Sequence, residues 1–218
     1  QIKNLTLKKN IFAKAPYEIA EFFTKRVNPH YLHTAPSTLF FVCAIIILIC
    51  VSGFRYATGT DFGAYFWDLT GDFTKFWDNL LAMDEPIQHL VSCVARSIYD
   101  DEASNIFALA LVTITLYACG IFRNSKSLSL TLLLYCLIGW ETGFNGCRQA
   151  LAIAVIVCGH KFIYTRNLAM YLIVIFFAYL CHKSSWIMMI PYFVCYRKID
   201  WKQIVLLFVV GVVIYFSY

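Results

Sequence analysis

The strongest constraint on this chain is a succession of apolar runs, separated by short polar turns, that begins near residue 36 and continues to residue 218. Apolar residues make up 60% of the 218 residues and charged residues only 14%, whereas a soluble domain is nearer one half and one quarter. A water-soluble fold cannot bury so many apolar side chains, but a lipid bilayer can surround them. The sequence therefore predicts an all-α protein, a polytopic bundle of transmembrane helices.

Seven of the apolar runs are predicted to cross the membrane. A spanning helix needs about 20 mainly apolar residues, although a shorter run can span where the bilayer thins or where neighbouring helices line a cavity. An eighth run, residues 86–99, contains His89 and Arg96. We predict that it forms an amphipathic helix at the outer surface or in the mouth of the bundle. The predicted spans are residues 36–53, 105–122, 127–141, 147–164, 167–181, 185–196 and 201–217.

The positions of Lys and Arg predict the topology, because basic residues concentrate in cytoplasmic loops. Residues 1–36 carry six basic side chains against two glutamates and are predicted to be a cytoplasmic N-terminal segment. Residues 37–218 are predicted to be a multi-pass membrane domain. Its outer loop, 54–104, is acidic and poor in Lys and Arg. The later turns alternate between the two sides without conflict. We also expect the chain to be a piece of a longer protein, truncated at its C-terminus.

Three ionisable residues, Asp61, Arg148 and His182, are predicted to lie on the same outer side although they are far apart in sequence. Ionisable groups are costly at membrane depth and usually face a cavity or mark a functional site, so these three are the candidate catalytic residues. Arg148 stands in the first turn of a predicted helix, where backbone N–H groups and a guanidinium fork suit a phosphate. Pairing of Arg148 with Glu141 or with lipid headgroups is the alternative.

His182 ends a predicted helix and can act as a general acid or base, or it can cap the helix. Asp61 can take a proton from a sugar hydroxyl, bind sugar hydroxyls, or pair with Arg55. The sequence leaves these alternatives open. Asn145 is predicted to cap the helix that contains Arg148. The candidate substrate-binding residues are Arg55, Tyr65, Asn145, Gln149 and Lys183.

The sequence carries no motif for a nucleotide or a metal ion. P-loop, GxGxxG, HExxH and GxSxG patterns are absent, and the nine cysteines form no CxxC pair. We therefore predict no cofactor and no metal site. Nucleic-acid binding is not predicted either, because the basic residues stand in short turns and form no stripe.

Four short motifs resemble those of the EpsG family of exopolysaccharide membrane proteins. They fall in the family's order and at plausible spacing, and together they extend over most of the chain. Each motif is short, but the set is fairly specific to the family. The motifs are FRYATGTDFGAY at 54–65, Glu85-Pro86, NGCRQALA at 145–152 and AYLCHKSSW at 178–186.

The resemblance implies a role like that of Wzy-type polysaccharide polymerases, at the outer face of the bacterial cytoplasmic membrane. These proteins join oligosaccharide repeat units that are linked to undecaprenyl pyrophosphate. Such a reaction needs a cationic clamp for the pyrophosphate leaving group and a base for the acceptor hydroxyl. Arg148 fits the clamp, and either His182 or Asp61 fits the base. The implied partners are the lipid-linked oligosaccharide, the bilayer and other polysaccharide-assembly proteins.

Three other functions fit the same features. A transporter or flippase for the lipid-linked glycan would use a similar Arg-lined cavity without chemistry. A membrane acyltransferase would also need a polar cavity and a histidine. A non-catalytic assembly partner would tolerate the loss of Arg148 and of His182.

The predicted topology can be tested by thiol labelling of single cysteines in a background that lacks the nine native ones. A membrane-impermeant maleimide added to intact cells is expected to label a cysteine beside Gly146, because that turn is predicted to lie outside. A cysteine beside Arg166 is expected to react only after permeabilisation. Labelling of both positions from the same side would contradict the arrangement.

Overall fold

Every segment of secondary structure in the described part of the chain is helical. The computed structural model describes residues 35–66, 76, 77, 85–195, 205 and 209, and these residues contain no β-strand. The predicted all-α fold is therefore confirmed. Nearly all of the predicted N-terminal segment 1–36 lies outside the described residues, and so does most of the predicted span 201–217.

The helices follow one another with short connections. A π-helical turn, Tyr135–Gly139, continues α5, and a 3₁₀ helix, Lys183–Met188, precedes α10. The α-helices are α1 Ala35–Gly53, α2 Phe62–Phe66, α3 Pro86–Ile98, α4 Glu102–Asn124, α5 Leu128–Leu134, α6 Thr142–Asn145, α7 Cys147–Gly159, α8 Lys161–Tyr164, α9 Leu168–Cys181 and α10 Met189–Val194.

Two of the helices, α1 and α4, are long and apolar enough to cross a membrane. Helix α1 exposes large apolar side chains such as Phe40, which is 77% exposed, as expected of a helix face that contacts lipid. Three further apolar helices are shorter: residues Leu128–Gly139, α7 and α9. The helical bundle is consistent with the prediction, whereas the count of seven spans stays a prediction.

The predicted helix over 185–196 is not continuous. After α9, His182 adopts an extended conformation with φ −158° and ψ 123°, and the chain continues as the 3₁₀ helix and the six-residue α10. The backbone N–H of Lys183 bonds to the side chain of Glu85 at 3.0 Å, so this amide serves a tertiary contact. Pro191 adds no N–H but lies in the first turn of α10, where that group has no helical partner.

Helix α4 lies at the centre of the bundle and packs against α1, α3 and α7, while α7 packs in turn against α9. Small residues allow close approach along this interface, as is usual for membrane helices. Ala150 and Ala154 of α7 are fully buried. A Cβ at Gly120 of α4 would lie 2.7 Å from Val157 of α7, so a larger residue there would separate the two helices.

Helix α3 corresponds to the predicted amphipathic helix and packs against α4, with a further contact to α9. It buries the polar side chains of Gln88 and Ser92 and exposes the apolar Val94 and Ile98. The polar side chains of Gln88 and Ser92 therefore point into the bundle, and the position of this helix relative to the membrane stays a prediction.

A buried hydrogen-bond network joins α2, α3 and α4. Asn105 of α4 is 1% exposed, and its side-chain amide donates to the carbonyl oxygen of Tyr65 at 2.6 Å. Its Oδ1 accepts from the hydroxyl of Ser92 on α3 at 2.7 Å. Because both bonds are buried, Asn105 fixes the positions of two elements that contribute to the site described below.

Replacement of Asn105 by Ala is expected to lower the free energy of unfolding by about 1–3 kcal/mol, because the Tyr65 carbonyl and the Ser92 hydroxyl lose a buried partner. The measurement is denaturant unfolding of the purified protein in detergent micelles. Ser97→Ala is the matched control. Ser97 is exposed on α3, the helix that carries Ser92, and its hydroxyl bonds to the local Val94 carbonyl. Equal stability of the two variants would contradict the role of the network.

Candidate functional site

The carboxylate of Glu85 joins three parts of the chain at one end of the bundle. Its Oε2 lies 2.8 Å from Nη1 of Arg148, and its Oε1 lies 2.6 Å from Nδ1 of His182. The backbone N–H of Lys183 donates to the same Oε1 at 3.0 Å. Glu85 itself is only 7% exposed. A buried acid is thus held by a guanidinium, an imidazole and an amide.

The backbone at Glu85 is in an unusual conformation. Its φ of 60° and ψ of 58° lie in the left-handed region, which costs a non-glycine residue about 1–2 kcal/mol. Pro86 follows as the first residue of α3 and disfavours the right-handed helical region for the residue before it. Strained positions of this kind cluster at functional sites, and here the strain directs the carboxylate into the bundle.

Arg148 is placed by the start of α7. Gly146 is the N-cap of that helix, so Arg148 is its second residue and projects from the first turn. The guanidinium also hydrogen-bonds the hydroxyl of Tyr65 and interacts electrostatically with Asp61. The side chain is 43% exposed, so an incoming group can reach the guanidinium beside its contact with Glu85.

Tyr65 brings a phenol to the same cluster. Asn105 holds its backbone, as described above, and its side chain is 5% exposed. Burial raises the pKa of Tyr65, and the hydrogen bond from Arg148 opposes that shift only in part. The hydroxyl therefore keeps its proton at neutral pH and can donate a hydrogen bond.

His182 follows the last residue of α9, where the chain leaves the helix. Nδ1 of the imidazole lies 2.6 Å from Oε1 of Glu85. The ring N–H is not well aligned on that oxygen. With Nδ1 facing Glu85, Nε2 is the ring nitrogen that faces away from the carboxylate. His182 is half-buried, and Lys183, the next residue, has an exposed side chain.

The loop that carries Asp61 is docked onto the turn between α6 and α7. The backbone N–H of Thr60 donates to Oδ1 of Asn145 at 2.9 Å. Gly59 has a φ of +94°, and a Cβ there would overlap the carbonyl of Phe144, so only glycine fits this contact. The docking places the exposed Asp61 near Arg148.

Arg55 holds the same turn from the other side. Its Nη1 donates to the carbonyl of Gly143 at 3.0 Å, its Nη2 lies 3.2 Å from Sγ of Cys147, and its guanidinium stacks on Phe144 at 4.8 Å. The sequence also allowed an ion pair between Arg55 and Asp61. Both residues are described, and no ion pair joins them.

The predicted N-cap role of Asn145 is wrong. The N-cap of α7 is Gly146, which forms no side-chain bond. The side-chain Oδ1 of Asn145 accepts from the backbone N–H of Thr60 instead. Gln149 lies in the first turn of α7, is exposed, and has its Oε1 close to Gly146. Its predicted role in substrate binding stays a prediction, as do those of Asn145 and Lys183.

The structure thus brings together Arg148, His182 and Tyr65 and places Asp61 beside them. Sequence reasoning did not assign a chemical role to Glu85, although it singled out Glu85-Pro86 as a motif. That dipeptide at a helix start was the available signal. Among residues 35–66 and 85–195, no three His, Cys, Asp or Glu side chains are grouped so as to hold a metal ion.

The comparisons with known proteins agree with the motifs. No curated protein and no solved structure matches the chain. The model of the EpsG family matches residues 38–218, a range that contains all four sequence motifs and the Glu85 cluster. Two helices long and apolar enough to cross a membrane are consistent with that family. Since the family match covers most of the chain, the chain belongs to the EpsG family.

Proposed function

We propose that the chain transfers glycosyl groups between lipid-linked oligosaccharides. It would polymerise undecaprenyl-pyrophosphate-linked repeat units for exopolysaccharide, capsule or O-antigen biosynthesis at the outer face of the bacterial cytoplasmic membrane. The observation that carries the proposal is the pair of contacts made by the Glu85 carboxylate. It contacts Arg148, whose guanidinium can bind a phosphate, and His182, whose imidazole can act as a general base.

The leaving group of this reaction is a lipid pyrophosphate. Arg148 offers a planar fork of N–H donors that matches a phosphate, and its partial exposure lets the fork be approached from outside the cluster. The Tyr65 hydroxyl is a second donor beside it. Hydrogen-bond donors that are already in position stabilise the charge that develops on the leaving oxygen. In many enzymes this stabilisation is the largest contribution to the rate enhancement.

The nucleophile is a hydroxyl of the acceptor glycan. Nε2 of His182 takes the hydroxyl proton while the hydroxyl oxygen forms a bond to the anomeric carbon of the donor. The bond from that carbon to the pyrophosphate oxygen breaks, and its electron pair leaves with the lipid pyrophosphate. Glu85 orients the ring through Nδ1 and stabilises the imidazolium, as carboxylates do in other base-containing sites.

His182 is the stronger candidate for the base because Glu85 holds its ring in place. Asp61 is exposed, and its carboxylate accepts only from Thr60, at 3.2 Å, among its described hydrogen bonds. Its negative charge beside Arg148 suits the binding of a sugar hydroxyl. Lys183 and Gln149 are exposed around the same end and would contact the glycan or its phosphates.

Replacement of His182 or of Arg148 is expected to slow chain growth by the full-length protein in liposomes supplied with lipid-linked repeat units. His182→Ala removes the base and should lower the rate about 10²–10⁴-fold. Arg148→Ala removes the clamp and should lower it about 10²–10³-fold. The products are sized by gel electrophoresis and mass spectrometry.

The matched controls are His160→Ala and Arg96→Ala, which should keep the wild-type ladder. His160 bonds the Val157 carbonyl in the α7–α8 turn, and Arg96 forms an ion pair with the exposed Asp100, so neither belongs to the Glu85 cluster. Movement of the lipid-linked unit between leaflets without a ladder would replace the proposal by transport. Acylated products would favour an acyltransferase, and wild-type ladders from both central variants would favour an assembly partner.

Glu85→Gln tests the positioning role. Gln keeps the size of the side chain and an acceptor for the Lys183 amide, but it loses the charge that stabilises the imidazolium. The kcat is expected to fall about 10²–10⁴-fold, with a smaller change in KM because Arg148 remains available to the pyrophosphate. A merely structural Glu85 would instead lower the yield of folded protein and leave the kcat of the folded fraction unchanged, as judged by size-exclusion chromatography beside the kinetics.

A further inference from the structure

A separate apolar groove of about 370 Å³ runs along the bundle between α4 and α9. Its floor is α7, and its volume falls in the range of ligand-binding clefts. The groove extends from residues near Glu85 at one end to the last turns of α4 and α7 at the other. Its middle is lined by Val112, Leu116, Val155, Ile173, Val174 and Phe177.

The charged residues that line the groove lie at the end away from Glu85. Arg123 comes from the last turn of α4, and Lys161 comes from the first residue of α8, directly after α7. Within the described ranges, neither side chain forms an ion pair with a carboxylate. The ammonium of Lys161 lies 5.0 Å above the ring of Phe162, which also lines the groove. The fold thus places two cationic side chains at one end of the apolar groove.

The opposite end of the groove has no charged lining residue among those described. Ile87 of α3 and Cys181 of α9 line it there, and α3 packs against both α4 and α9. Beyond them, Arg148 is bound to Glu85. A tail entering from the candidate site would have to pass Ile87, whereas the other end is lined by the charged side chains of Arg123 and Lys161. The charges therefore set the direction in which an amphiphile would lie.

We propose that this groove binds an anionic glycerophospholipid. Its phosphate contacts Arg123 and Lys161, and one acyl chain lies along α7 between α4 and α9. The lipid belongs to the leaflet at that end of the bundle, which is the cytoplasmic leaflet in the predicted topology. Basic pockets between helices on that side recognise anionic headgroups, and each basic residue near an anionic surface contributes about 1 kcal/mol, or about fivefold in affinity. This site is distinct from the Glu85 cluster and does not depend on glycosyl transfer.

The test uses the full chain in phosphatidylcholine nanodiscs that contain a trace of phosphatidylglycerol with a photoreactive diazirine on its acyl chain. After illumination, labelled peptides are quantified by mass spectrometry. Label is expected on the α7 and α9 segments that line the groove, and unlabelled phosphatidylglycerol should compete for it. Arg123→Gln and Lys161→Gln should each reduce competitor affinity about fivefold, and the double variant about thirtyfold.

Lys126→Gln is the matched control. Lys126 follows Arg123 closely, is exposed, and does not line the groove, so its loss removes the same charge from the same side. Unchanged affinity in this variant would support the proposal. An equal loss of competitor affinity in Lys126→Gln would overturn the proposal, because it indicates diffuse attraction to the surface. Equal labelling by a phosphatidylcholine probe would also overturn it, because the lipid contact is then nonselective. The absence of label in the groove would overturn it as well, because another segment then fills the groove.

Discussion

The carboxylate of Glu85 is the interaction on which the candidate site depends. It is buried and is shared by Arg148, His182 and the backbone amide of Lys183. Loss of a partner would leave the charge of this buried carboxylate without compensation, which is costly. This cost holds the start of α3, the start of α7 and the end of α9 together, although they are far apart in sequence.

The remaining polar groups near the site align the elements that carry it. Asn105 fixes Tyr65, and Asn145 fixes the loop before Asp61, while Arg55 supports the turn from which α7 begins. Each contact replaces a hydrogen bond that water would otherwise supply. An apolar bundle has few such groups, so each one strongly constrains the geometry.

Helix α7 connects two regions of different chemistry. Its first turn carries Arg148 within a cluster that also contains acids, a histidine and a phenol. Its last turn leads to Lys161 beside Arg123, where the described residues supply no acid. The first arrangement suits the orientation of a reacting phosphate, and the second suits the retention of an anionic lipid. The buried alanines of α7, such as Ala150 and Ala154, allow its close packing against α4, which fixes the positions of both ends of the helix.

The sequence by itself determined the helical class, the membrane character and the residue types of the site, because apolar length and rare charges are local properties of a chain. It also located Arg148 and His182. Only the tertiary structure revealed the contacts of Glu85 with Arg148 and His182, the use of Asn145 by a distant loop and the broken helix after His182. These features depend on which backbone groups meet across the bundle, and pairing between distant segments leaves no periodic signal in the sequence.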